Sequence, residues 1–299
     1  MGEIIQNPPA PGTPEWRRMI TASKIPAILG ISRYKSQFAL WHEMAGNIEP
    51  TPMDPRRAAW GHAAELAIAQ QWAGLHPEWK LNPMRGGTCE LAYTTDHGFP
   101  TLATIDRRAY CRGTFRIIEC KTARDLSDWG REGEPDAVPA DYLAQVMWQM
   151  GQSGIHEATI GVLAYGSGPE FHPVEWNPEM YELIVEKAAE WYQSLIDGTE
   201  PHLDDSTATY ETVRGLHPDI DKGTEVEVPH DLAAEYLAAV AGEKAAKAEL
   251  NLQKSRMLQL MGTTHKATCG GQKIADRRPT AKGIAIYANT KADLHAIAS

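Results

Sequence analysis

The chain has 299 residues, 42% hydrophobic and 23% charged, enough apolar material for one large core or two smaller ones and ordinary for a globular protein. No apolar run reaches the roughly 18 residues of a membrane span, and the start Met1-Gly2-Glu3 lacks the basic and apolar regions of a signal peptide, so a cytoplasmic protein without membrane contact is expected. Cys89, Cys111, Cys120 and Cys269 show no Cys-x-x-Cys pairing, which argues against a zinc ribbon or iron–sulfur cluster and for free thiols; the net charge of −10 disfavours nucleic acid as a partner of the surface as a whole, though a local basic lining can coexist with an acidic exterior.

In chain order, residues 1–14 are rich in proline and polar groups and read as a loose N-terminus. Thr21 or Ser23 can cap a helix running to Leu29 with Gly30 as its stop, and a helix start flanked by hydroxyls and by Arg17 and Arg18 is suited to an anion, with plain capping as the simpler alternative. A short helix is expected over 37–45. A second, Ala-rich, runs over 56–73, with Trp60, Ala64, Ile68 and Trp72 at helical spacing. Glu65 lies among its apolar positions as an edge residue or as a carboxylate drawn inward toward a cation. His62, three residues earlier, is more simply a hydrogen-bonded structural group.

The segment Leu102-Ala103-Thr104-Ile105 reads as a strand closed by Asp106. Gly113 suits a turn that lays it antiparallel to the strand Phe115-Arg116-Ile117-Ile118-Glu119-Cys120-Lys121. Alternation puts Glu119 and Lys121 on one face and Ile118 and Cys120 on the other, so two carboxylates and a lysine meet at one point. Oxygen-only acidic ligation suits Mg²⁺ or Mn²⁺, and the lysine can position and polarise a water. A second Glu-x-Lys, Glu78-Trp79-Lys80, follows His76-Pro77 without a preceding apolar strand and reads as a decoy.

An acidic loop, six acids and one Arg from Asp125 to Asp141, leads to a helix over 141–150 with Tyr142, Gln145 and Gln149 on one side and Gly151 and Gly154 at its end. A buried strand over 158–165, a partner over 170–175 and a helix over 178–195 complete an alternation of strands and helices around a small central sheet. After a composition shift at 201–206 come a polar segment to Pro229, a long helix over 231–261 whose Leu232, Tyr236, Leu237 and Val240 form a modest apolar face, and a hairpin turning at Gly270-Gly271. The stretch from Thr263 to Ser299 carries six Lys/Arg against two Asp, and this helix and hairpin could contact DNA or a neighbouring subunit. The expected organisation is a flexible 1–14, a core over 15–205 and an extension over 206–299.

Ile20-Thr21-Ala22-Ser23 before Ile28-Leu29-Gly30, Trp60-Gly61 with Glu65, then Asp106, Glu119-Cys120-Lys121 and Tyr142-Leu143-Ala144-Gln145-Val146, in this order, resemble the lambda-exonuclease-like, or YqaJ-type, viral recombinase nucleases. The resemblance covers about residues 15–200. It implies an α/β fold with a restriction-endonuclease-like core, a small mixed sheet flanked by helices, that binds Mg²⁺ and digests duplex DNA from its 5′ ends to leave 3′ single-stranded tails. By motif position Asp106 and Glu119 would be metal ligands with the main-chain carbonyl of Cys120, Glu65 would hold or orient a second ion, Lys121 would orient the attacking water, and Gln145 would align Lys121 or the water. Ser23 with Arg17 or Arg18 would hold the 5′ phosphate, although the stretch before the helix is shorter than the family's and lacks its glycine. A ring-forming homo-oligomer and a phage single-strand annealing partner in a bacterial cytoplasm follow by resemblance only. The alternatives are an endonuclease or a flap or single-strand repair nuclease of the same fold, and a non-catalytic DNA-end-binding scaffold.

Overall fold

The computed structural model describes residues 2–50, 52, 54–281, 283–293 and 296. The chain forms two compact units, residues 1–220 and 221–299. In chain order the first contains β1 (Glu3–Ile5), α1 (Pro14–Arg18), β2 (Ile20–Thr21), α2 (Ile25–Ile28), α3 (Gln37–Ala45), α4 (Pro55–Leu75), β3 (Lys80–Leu81), β4 (Leu91–Thr94), β5 (Thr101–Ile105), β6 (Arg107–Cys111), β7 (Thr114–Ala123), α5 (Ala140–Ser153), β8 (Glu157–Ala164), β9 (Pro169–Glu175), α6 (Pro178–Asp197) and α7 (Thr207–Leu216).

The central sheet is five-stranded, in the order β3-β6-β7-β8-β9, and mixed: β7 and β8 are parallel and the other neighbours antiparallel. A parallel pair needs a crossover, and α5 supplies it between β7 and β8. The expected α/β class, a small mixed sheet with helices on its faces, is the one observed. Under α4 lies one apolar cluster, in which Ala64, Ile68, Ala69 and Trp72 pack on Ala109, Ile118, Cys120 and Phe171. The larger cluster joins Ile117 and Ile160 of the sheet to Val146, Met147, Trp148 and Met150 of α5 and to Ile184, Ala188 and Trp191 of α6. The alternation of β7 thus sends Ile118 and Cys120 toward α4 and Ile117 toward α5.

Gly161 of β8 marks how closely α4 approaches. A Cβ there would lie 2.5 Å from Ile68 Cγ2 and 2.9 Å from Phe171 Cε1. Gly161→Ala is therefore expected to destabilise the unit by about 1–3 kcal/mol through overpacking, read as a lower midpoint in urea at unchanged slope; an unchanged midpoint would show that α4 yields freely.

Several local expectations are corrected by long-range contacts. Residues 3–5 are not loose, because β1 pairs with β4 at the edge of a second, four-stranded sheet ordered β1-β4-β5-β2. The strand ending at Asp106 does not itself pair with the Glu119 strand. β5 belongs to the second sheet, the chain changes sheets at Asp106, and β6 makes the antiparallel pair with β7 across the turn at Arg112–Gly113. Gly151 lies inside α5, which runs on to a left-handed cap at Gly154; the missing side chain makes room for Tyr181, whose ring would stand 2.0 Å from a Cβ. The helix after Ser23 is the four-residue α2, and its cap position is Lys24, without a side-chain cap.

The first unit also extends past the composition shift at 201–206. Ser206 caps α7, and Thr209 Oγ1 donates to Ser36 Oγ (2.8 Å) at the start of α3, tying α7 to the core so that the unit closes at Ile220. In the second unit, α8 (His230–Met261) precedes β10 (Lys266–Cys269), β11 (Gln272–Thr280) and β12 (Gly283–Ala288), so the expected hairpin is a three-stranded antiparallel sheet. Leu232, Tyr236, Leu237 and Val240 of α8 are exposed. Two of the basic residues, Lys273 and Arg278, bond to the buried Asp276 carboxylate.

Candidate active site

The β6–β7 ladder pairs Arg107 with Ile118 and continues to Cys111 with Thr114. Asp106, one position beyond its open end, therefore stands beside Glu119, and its Oδ2 accepts the backbone N–H of Cys120 (2.7 Å). The Cys120 thiol itself lies in the apolar cluster under α4, where burial pushes its pKa up and keeps it protonated.

Glu119 is 2% exposed, and three donors hold it. Its Oε1 accepts from Lys121 Nζ (2.6 Å) and Gln145 Nε2 (2.7 Å), and its Oε2 accepts from Gln149 Nε2 (2.8 Å). Lys121 Nζ also donates to Gln145 Oε1 (3.2 Å), and Gln149 Nε2 to the Thr104 carbonyl (2.8 Å). Gln145 and Gln149 are four apart on α5 and so project from one face over β7. The sequence placed Gln149 on that face without giving it a role; the structure makes it a direct partner of Glu119.

Glu65, carried by α4, and Glu90, immediately before β4, complete the acidic wall. One oxygen each of Glu65, Glu90 and Asp106 lies within 4.8 Å of the others. Glu90 was not anticipated: it is an exposed residue outside any periodic pattern, and only the pairing of β4 with β5 brings it to Asp106. Glu119 is outside this triplet. The site thus divides into a carboxylate group, Glu65, Glu90 and Asp106, and a lysine–carboxylate pair bound by two amides.

Burial, and then the Glu119 and Glu65 charges, raise the Asp106 carboxyl well above its ordinary range, with Lys121 and the Cys120 N–H pulling the other way. Burial chiefly raises Glu65 too, opposed by His62 and reinforced by Glu90 and Glu119. Burial works against the Lys121 charge, but Glu119 and Asp106 more than offset it, so the ammonium is held above its usual value and stays protonated at neutral pH. Three carboxylates with nothing but hard oxygen donors, two of them disfavoured as free anions, fit a divalent cation of the Mg²⁺ or Mn²⁺ kind.

Glu65, Glu90, Asp106, Glu119, Lys121, Gln145 and Ser23 line one cavity of about 810 Å³. A second, of about 420 Å³, meets it at Ser23, Glu65, Lys121 and Gln145 and is walled by Tyr34 and Tyr142. Six sequence-derived positions, Ser23, Glu65, Asp106, Glu119, Lys121 and Gln145, are thus brought to one place.

Arg17 and Arg18 are not. Arg17 pairs with Glu49 (2.6 Å) and donates to the Gly12 carbonyl (3.0 Å), Arg18 is exposed, and neither lines the cavity. The cause is Lys24, whose buried ammonium donates to the carbonyls of Trp16 (2.9 Å), Arg17 (2.8 Å) and Met19 (2.7 Å) and fixes this turn around itself. Burial pushes the Lys24 pKa down to about 7, while the three carbonyls favour its charged form. Glu78 and Lys80 of the second Glu-x-Lys are exposed and outside the cavity.

Residues 15–156, which include every residue of this site, match the family model of the YqaJ-like viral recombinase domain. The chain is 25% identical over 219 residues to the "Uncharacterized protein YqaJ" of Bacillus subtilis (strain 168); the match covers 72% of this chain and spans 65% of the length of that relative. Among solved structures, an alkaline exonuclease (LHK-Exo) from Laribacter hongkongensis is similar with a TM-score of 0.42 at 13% identity, covering 62% of this chain and 94% of that one, and its complex with dAMP gives the same values. SSO0001 is similar with a TM-score of 0.37 at 12% identity over 70% of this chain and 88% of its own.

Proposed function

We propose that this chain, with its YqaJ-like viral recombinase domain, is a metal-dependent exonuclease that digests linear double-stranded DNA from the 5′ end and leaves 3′ single-stranded tails for recombination by annealing. The observation that carries the reading is the buried Glu119 paired with the partly buried Lys121 and set against the Glu65, Glu90 and Asp106 carboxylates on the wall of a cavity large enough to take a nucleotide strand. Such a charge arrangement is costly as a purely structural device, and it matches what phosphodiester hydrolysis requires.

Water oxygen attacks phosphorus as the P–O3′ bond breaks; the leaving O3′ takes up a proton to become the 3′ hydroxyl of the released nucleotide, the water gives up a proton to solvent, and the phosphate stays on the next nucleotide as the new 5′ end. Lys121 donates a hydrogen bond to the attacking water or to a phosphoryl oxygen, and it brings a fixed positive charge to the trigonal bipyramid. Glu119 keeps that ammonium charged and aimed, and Gln145 and Gln149 keep Glu119 from rotating away. Glu65, Glu90 and Asp106, with Glu119 at the edge of the group, would hold Mg²⁺ or Mn²⁺, as two ions when fully loaded. Bound there, the cation would neutralise the phosphate and polarise the water. Ser23 stands at the junction of the two cavities, which supports it as a contact for the 5′ phosphate of the strand end.

Residues 1–220 are proposed as the catalytic unit. A ring-shaped homo-oligomer and a single-strand annealing protein are the proposed partners, with α8 and the basic sheet as a DNA or subunit contact, in the cytoplasm of a bacterial host. Among the described residues no helix is long and apolar enough to cross a membrane.

Linear duplex labelled at its 5′ or 3′ ends, incubated with Mg²⁺, should release 5′ label first as mononucleotide, while covalently closed circular duplex survives and EDTA stops the reaction. Cutting of the closed circle would replace this reading with an endonuclease. Binding of linear DNA without any Mg²⁺-dependent loss of substrate would leave a scaffold.

A further inference from the structure

The cavity carries a guanidinium that has no part in the hydrolytic centre. Arg108 of β6 lies on its wall, two residues along the chain from Asp106. Its Nη1 donates to the Tyr93 hydroxyl (3.1 Å), and its guanidinium lies over the Phe115 ring at 4.5 Å from the centroid. Tyr93 is fully buried, so this support is rigid.

Arg17, Arg33 and Arg116 of this unit are paired with Glu49, Asp141 and Glu157, whereas Arg85 and Arg108 on the cavity wall form no ion pair among the described residues; Arg85 is exposed, and of the two only Arg108 has its guanidinium held by a hydroxyl and a ring. Among the described residues Arg108 forms no ion pair, and the one hydrogen bond of its guanidinium uses one of five N–H donors. A partly buried, stacked cation that faces a cavity and keeps most of its donors is arranged to receive a planar or tetrahedral oxyanion from that cavity.

We propose that Arg108, braced by Tyr93 and Phe115, is a phosphate-binding subsite that grips a backbone phosphate of the DNA strand about one nucleotide from the phosphate being cleaved. This rests on the reading that the cavity takes DNA. Around Asp106 the wall is acidic and tolerates a phosphate only with a cation present, whereas at Arg108 the protein supplies the positive charge itself. The subsite therefore anchors the strand, and the acidic centre acts on the neighbouring linkage.

The test is equilibrium binding of linear duplex by fluorescence anisotropy in Ca²⁺ over a salt series, with intact substrate verified afterwards. Compared with the unaltered chain, Arg108→Ala should lower the slope of log K against log salt by about one phosphate contact and weaken binding about tenfold or more. Arg108→Lys should restore the slope but only part of the affinity, and Tyr93→Phe should weaken binding with the slope unchanged. Replacing single phosphates near the 5′ end by uncharged methylphosphonate should reveal one linkage whose neutralisation weakens the unaltered chain and leaves Arg108→Ala unaffected.

Equal slopes for the unaltered chain and a folded Arg108→Ala, sensitivity of Arg108→Ala to every linkage that affects the unaltered chain, or no binding of duplex by the unaltered chain would each overturn the proposal. Absence of Mg²⁺-dependent hydrolysis with the slope difference intact would sink the nuclease reading and leave the subsite standing.

Discussion

Lys121→Ala will lower the turnover of linear duplex in Mg²⁺ by about 10²–10³, the scale of losing one preorganised charge at a developing oxyanion, and it will also destabilise the fold. The second effect follows from the first pair of contacts: without the ammonium, Glu119 keeps a charge that is 2% exposed and answered only by two neutral amides. Breaking a buried pair from one side costs about 3–5 kcal/mol. Glu119→Gln is the milder counterpart, because it preserves shape but turns an amide N–H toward Lys121 and Gln145, and it too should be inactive to within about 10²-fold of the background.

The double variant Glu119→Gln with Lys121→Met separates the two effects. Removing both charges should recover much of the stability lost by Lys121→Ala, since neither member is left buried alone, while turnover stays lost. Urea midpoints and single-turnover rates on the same preparations decide the matter. Either single variant within tenfold of the unaltered rate, or activity that returns together with stability in the double variant, would remove Lys121 from the chemistry and leave the pair a structural one.

What could be read from the sequence follows the range of the force responsible. Glu119 and Lys121 were legible because strand alternation is set by the backbone, and the shared face of Gln145 and Gln149 because helix spacing is. Glu65 was legible as a carboxylate among apolar neighbours on α4. Glu90 was not, since an exposed acid before a short strand looks like any other until β4 pairs with β5 and swings it to within 4.8 Å of Asp106 and Glu65.

The position of Arg17 and Arg18 outside the cavity was illegible for a related reason. Arg17 and Arg18 precede a turn whose Thr21 and Ser23 suggest a cap, and local chemistry alone would aim them at an anion. The orientation is instead decided by Lys24, a residue with no sequence signal, which gathers three carbonyls and leaves Arg17 to Glu49. The change of sheet at Asp106 and the attachment of α7 through Thr209 and Ser36 are likewise tertiary events with no counterpart in local pattern.

Asp106→Asn should stabilise the metal-free protein at alkaline pH and at the same time remove most of its response to metal. In the fold the Asp106 carboxyl is raised well above its unfolded range, by burial first and then by Glu119 and Glu65. Between the unfolded and folded values the native state binds more protons than the unfolded state. Stability therefore falls as pH rises from the ordinary carboxylate range through the folded value and levels off beyond it, the reverse of a carboxylate in a favourable ion pair.

Asparagine is neutral at every pH, and its oxygen can still accept the Cys120 N–H that Asp106 accepts now. Thermal midpoints measured in EDTA should consequently converge for the two proteins at acid pH and separate at alkaline pH, with the variant several degrees higher, as about 1 kcal/mol shifts a domain of this size by roughly 2–4 °C. Adding Mn²⁺ should reverse the order, because a ligand that binds the native state raises the midpoint by mass action and the carboxylate triplet is complete only in the unaltered chain. The Mn²⁺-induced rise should grow with pH there, as the cation displaces a proton from Asp106, and should be small and flat in Asp106→Asn. A metal response of equal size in both proteins would move the cation site away from Asp106, and a variant less stable than the parent in EDTA at every pH would show that the Asp106 charge is welcomed by the fold rather than tolerated.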